Sequence, residues 1–139
     1  MNKFIILIPF LLFGCKYSQK SEPTSPVIQY LDYFNANSKG TITILYLDGC
    51  SGCIELYRVL LETVKSKNDN ITFILTKSPK KAKLLFGDEL IANAYFDTEF
   101  LAFKYSLIEN FPVIYNIDSD SIIETSIIKS NEDIFKLEQ

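Results

Sequence analysis

The chain has no histidine among its 139 residues. That absence removes Ser-His-Asp hydrolysis, Cys-His protease chemistry and His-ligated zinc at once. A metal site would have to be built from Cys, Asp and Glu alone. One C-x-x-C occurs, Cys50-Ser51-Gly52-Cys53, and no second one completes a four-thiolate set, so no metal is expected. A positive excess is missing too. The formal net charge is −3, whereas a nucleic-acid binder needs a basic face to neutralise phosphates. No repeat or low-complexity tract appears. The apolar run at residues 4–13 falls short of the roughly 20 residues that span a membrane.

What is present is enough for one domain plus a terminal extension. Phe and Tyr are frequent and apolar residues make up 47% of the chain, so a core can form. Met1-Asn2-Lys3, the apolar run at 4–13 and the small Gly14 have the order of a secretory signal peptide. The sequence Leu12-Phe13-Gly14-Cys15 resembles the lipobox of bacterial lipoproteins, with Phe13 bulkier than the usual residue. That resemblance implies a signal at 1–14, a lipidated Cys15 as mature N-terminus, and attachment to the cell envelope, facing the periplasm or cell surface. More than one acyl chain would hold such a protein stably on a membrane. Residues 15–26 then read as a polar tether, and residues 27–139 as the domain.

Three cysteines in an exported protein leave one odd. With Cys15 modified, a single pair remains, Cys50 and Cys53, in a compartment where disulfides form.

The order of elements is legible around that pair. Ser25-Pro26 opens a helix with Val27, Ile28, Leu31 and Phe34 on one face. Residues 41–47 are apolar and β-branched, a buried strand; residues 54–64 have helical spacing. Residues 71–75 form a second strand, suited to burial on both faces. Residues 78–93 read as a helix that Gly87-Asp88 breaks. A short strand at 94–96 leads to Asp97 or Thr98 as a cap for a helix containing Phe100, Leu101, Phe103 and Leu107, whose aromatics read as core. A strand opened by Pro112, a turn at 118–120, a strand at 121–128 and a helix from Asn131 complete the chain. The lysines of 80–83 read as a solvated helix face.

Two thiols spaced C-x-x-C between a strand and a helix form a redox signature. With the element order, they make the chain resemble the thioredoxin-like family in its periplasmic, membrane-tethered branch. The resemblance implies an α/β thioredoxin-like fold: a central mixed sheet flanked by helices. It implies Cys50 as the nucleophile that attacks substrate disulfides and Cys53, within the helix, as the resolving thiol. It implies a cis Pro112 facing the pair, with Phe111 offering its backbone to an extended substrate. No organic cofactor is called for; protein thiols and disulfides, and an electron donor or acceptor, are the implied partners.

Physics supports the mapping. The attacking species is a thiolate, and unpaired N–H groups at a helix start stabilise it. The chain departs from the family's pattern at two positions. Gly49 stands where an aromatic is usual, and Ile44 where thioredoxin has a buried carboxylate. Asp48 and Glu55 are the candidates to replace that acid; the plainer reading makes them a turn residue and a solvated charge. With no cation between the cysteines, a poise toward the reducing members is expected. Two rivals remain: a non-catalytic binding lipoprotein with a static disulfide, and a peroxidase-like member, which the lack of a Thr-x-x-Cys arrangement opposes.

Overall fold

The computed structural model describes residues 24–48, 51–67, 70–118 and 121–137. The chain runs α1 (Pro26–Tyr33), β1 (Gly40–Tyr46), a 3-10 turn (Ser51–Cys53), α2 (Ile54–Lys67), β2 (Ile71–Thr76) and α3 (Pro79–Phe86). Then follow β3 (Tyr95–Asp97), α4 (Leu101–Lys104), β4 (Val113–Asp118), β5 (Ser121–Ile127) and α5 (Asn131–Lys136).

The five strands form one sheet in the order β3-β2-β1-β4-β5. β1 and β2 are parallel, with Ile44 beside Ile74, and so are β2 and β3. β4 runs antiparallel to β1, with Val113 opposite Ile44, and β5 antiparallel to β4. A strand, helix, parallel strand unit followed by an antiparallel strand pair and a last helix is the thioredoxin-like fold. Its sheet is mixed, helices flank it, and β3 with α4 is an insert that extends the parallel edge.

Strand alternation divides the core between the two sheet faces. Ile42 and Ile44 of β1, Ile74 of β2 and Val113, Tyr115 and Ile117 of β4 pack with Val27, Ile28, Tyr30 and Leu31 of α1 and Ala102 of α4. Leu45, Phe73, Leu75 and Ile114 point the other way. They meet Tyr57, Leu60, Leu61 and Val64 of α2, Ala82 and Phe86 of α3 and Ile134 of α5. The central strands are therefore largely apolar on both sides, with threonine the polar exception at Thr43, Thr72 and Thr76.

Gly40 is needed at the start of β1. Its φ is +102°, and a Cβ there would lie 2.3 Å from the Asn70 carbonyl oxygen.

The helix expected over 78–93 ends at Phe86. Gly87 takes φ +79° and its N–H reaches the Lys83 carbonyl at 2.9 Å, so the glycine closes the helix rather than interrupting it. Phe100, not Asp97 or Thr98, is the N-cap of the next helix, yet the Asp97 carboxylate satisfies its start from four residues upstream, accepting from the Leu101 and Ala102 N–H groups at 2.9 and 2.8 Å. That helix is a single turn, Leu101–Lys104.

Candidate redox site

The parallel strands β1, β2 and β3 end along one edge of the sheet, where open α/β sheets hold their ligands. From this edge the chain leaves β1 for the C-x-x-C. β4 begins at the same edge, since Val113 lies opposite Ile44. Phe111 and Pro112 therefore come just before β4, beside the end of β1.

Cys53 closes the 3-10 turn that runs directly into α2. It thus precedes the α-helix by one residue, as the helical spacing from Ile54 has it, whereas the family resemblance implies a place within the helix. Its side chain is half-buried against the α2-side core, and it is disulfide-bonded. Gly49 and Cys50 lie outside the described residues, as do Cys15, the expected signal at 1–14 and the expected tether up to residue 23. Among the described residues, no helix is long and apolar enough to cross a membrane.

Pro112 corrects one expectation. No cis peptide bond occurs among the described residues, so the Phe111–Pro112 bond is trans, the ordinary form of an X–Pro bond. Pro112 is buried, and its carbonyl accepts from the Ile128 N–H at 2.9 Å. Its backbone is thus tied to the chain following β5. Phe111 is exposed, with the Lys129 ammonium 5.8 Å from its ring centroid. It lines a groove of about 240 Å³ with Leu107, Ile108, Val113, Ile127 and Lys129.

Asp48 is the last described residue before the C-x-x-C, and it is neither a free base nor a bare turn residue. Its carboxylate is contacted by two ammonium groups, those of Lys77 and Lys81. Lys77 follows β2 directly and has φ +140°, a region that costs a non-glycine residue about 1–3 kcal/mol. Lys81 comes from α3. All three side chains are partly exposed, so each contact contributes at most about 1 kcal/mol. Of the lysines at 80–83, Lys81 therefore has a partner at the site, and Lys83 pairs with Asp88 at 2.7 Å. Glu55 is exposed in the first turn of α2.

Ile44 is fully buried on the α1 side of β1, facing away from α2. No carboxylate replaces thioredoxin's buried acid at that position. Instead, two buried hydroxyls on the α2 side have no hydrogen-bond partner among the described residues, Thr43 Oγ1 and Tyr57 Oη. Tyr57 is one helical turn beyond Cys53 and 1% exposed. Burial pushes its phenol pKa up, with the nearby Tyr46 adding to the shift. Tyr46, at the end of β1, stands edge-on to Phe103 at 4.8 Å and to Phe100 at 6.5 Å. An aromatic group thus flanks the C-terminal edge of the sheet although Gly49 supplies none.

Lys77, Lys81 and Tyr57 escape sequence reasoning. The lysines lie about thirty residues from Asp48 in the chain, and Tyr57 reads simply as one apolar position of a helix. The only sequence hint is that Lys77-Ser78-Pro79 ends a strand next to a helix start.

The strand order defines a thioredoxin-like fold, with a disulfide-bonded cysteine in the turn that opens α2. Among solved structures, the chain is similar to a thioredoxin-like protein from Aeropyrum pernix. The identity is 16%, with 74% of this chain and 78% of that chain covered, at a TM-score of 0.45. No protein-family model matches the chain, and no curated protein sequence matches it.

Proposed function

We propose that the protein is an extracytoplasmic, lipid-anchored thiol–disulfide oxidoreductase that exchanges disulfides with protein partners. The observation that carries this reading is the disulfide of Cys53 in the turn that opens α2, at the edge where the parallel strands end. Cys50 is the proposed disulfide partner and the attacking group. Its thiolate attacks one sulfur of a substrate disulfide and forms a mixed disulfide, releasing the substrate's first thiolate. The Cys53 thiolate then attacks the Cys50 sulfur and releases the second. Two electrons and two protons pass from the protein dithiol to the substrate, and the Cys50–Cys53 disulfide is left. A thiol partner running the same steps in reverse restores the dithiol.

Phe111 and Pro112 are the proposed substrate-binding residues. A trans Pro112 with its carbonyl already bonded leaves the exposed Phe111 ring and its groove as the surface an extended segment would meet. The lipobox resemblance at residues 12–15 supports Cys15 as the lipid attachment and the cell envelope as the location.

The test is reduction of the native protein with dithiothreitol, followed by maleimide labelling and mass measurement. Two labels per chain are expected on the domain without denaturant. The Cys53→Ser variant is expected to hold a substrate as a mixed disulfide through Cys50. Labelling that occurs only in denaturant, with no trapped adduct, leaves a static disulfide in a binding lipoprotein as the better reading.

A further inference from the structure

We propose that Lys77 and Lys81 act as positioning residues that set the redox balance of the Cys53 disulfide through the charge they gather around Asp48. The inference rests on the oxidoreductase reading above. Two ammonium groups converge on one carboxylate, leaving a net charge of +1 at the entrance to the C-x-x-C. They come from two places, the residue after β2 and the first half of α3, so the convergence is a product of the tertiary fold. Lys77 holds a left-handed backbone that suits glycine. A strained residue paired with the carboxylate two positions before Cys50 is where a functional constraint is to be sought. The chain itself keeps the cluster close, because two peptide units span at most about 7.6 Å between Cα atoms. The other ionisable side chain of the first α2 turn, Glu55, is exposed and carries the opposite sign.

Reducing the disulfide takes two electrons and gives two thiols, of which the more acidic ionises and releases its proton to solvent. A net positive charge nearby stabilises that thiolate and so favours the reduced form. The cluster thus moves the couple toward the oxidising side of where an uncharged turn would leave it.

The sign of two substitutions separates charge from mechanics. The full chain is equilibrated with reduced and oxidised dithiothreitol, and the reduced fraction is read by maleimide labelling. Lys77→Met and Lys81→Met are each expected to lower the equilibrium constant for reduction by roughly two- to fivefold, the effect of one charge about 10 Å away in a partly screened medium. Asp48→Asn is expected to raise it by a similar factor, and Lys77→Arg to leave it unchanged. If the lysines only brace the turn, the methionine and asparagine variants shift the constant the same way, or not at all; either result overturns the proposal. Lys81, an ordinary helical residue, carries the test if Lys77→Met fails to fold. A wild-type disulfide that dithiothreitol does not reduce removes the oxidoreductase reading as well; a reducible one with unmoved variants removes this inference alone.

Discussion

Two buried tyrosines lie on opposite faces of the sheet, and their hydroxyls have opposite fates. Tyr30, on the α1 face, is fully buried and donates to Asp97 at 3.1 Å. Asp97 is itself buried, and it also accepts from the first two N–H groups of α4. One carboxylate thus fastens α1 and α4 to the end of β3. Tyr57, on the α2 face, is as deeply buried, and its hydroxyl has no partner among the described residues. Thr43 on the neighbouring strand is in the same state. Buried polar groups are ordinarily satisfied, and each exception calls for a reason. Here the satisfied network holds the insert in place, and the unsatisfied hydroxyls lie on the side that carries Cys53. The polar atoms buried on the α1 face thus tie elements together, while those on the α2 face contribute no such tie.

The contrast breaks most readily at Asp97. Asp97→Ala strips an acceptor from three donors, two of them in buried hydrogen bonds, and is expected to destabilise the domain by about 3–5 kcal/mol, measured by urea unfolding. A loss below about 1 kcal/mol would mean that the network is not what secures α4.

The tyrosines themselves sharpen it, because the same substitution should have opposite signs on the two faces. Tyr30→Phe removes a donor to a charged acceptor and is expected to cost about 1.5–3 kcal/mol. Tyr57→Phe removes a hydroxyl that lost its hydration and gained nothing, so stability is expected to stay level or rise by up to about 1 kcal/mol. Equal losses in the two unfolding curves would erase the distinction.

The smallest effect is the response to alkali. Burial raises the pKa of Tyr30, and the Asp97 charge and hydrogen bond raise it further. Burial also raises Tyr57 and Tyr115. The unfolded chain releases these phenolic protons near pH 10, whereas the native protein retains them. Their contribution is therefore complete below about pH 10 and is lost as pH rises beyond it. Urea midpoints taken from about pH 8 to about pH 11 should fall at the alkaline end. Tyr30→Phe should flatten that fall more than Tyr57→Phe does, since Tyr30 has the Asp97 carboxylate beside it and burial is the main cause at Tyr57. An equal slope in both variants would show that Asp97 adds nothing to burial.

Much of this architecture is legible from residues near one another in the chain. The apolar run before the C-x-x-C gives β1, the helical spacing after it gives α2, and Ser25-Pro26 marks the start of α1. Asp97 is legible as an acceptor at the start of α4 because capping is a local event. Its second role, as acceptor for Tyr30 sixty-seven residues earlier, is not. Pro112 shows the opposite failure. Its place at the head of β4 follows from strand pattern, but its isomer depends on what surrounds it, and the bond is trans. The candidate site divides the same way: the cysteine spacing stands in the sequence, while the company of Asp48 does not.

The sequence by itself determined the order of the elements, the apolar character of both sheet faces and the position of the cysteines between β1 and α2. These depend on periodicity, capping and turn chemistry, which act over a few residues. Only the tertiary structure decided that Lys77 and Lys81 meet Asp48, that Tyr30 meets Asp97 and that the Tyr57 hydroxyl finds no partner among the described residues. Charges and hydrogen bonds choose their partners by distance in space, and that distance exists only once the strands are in register.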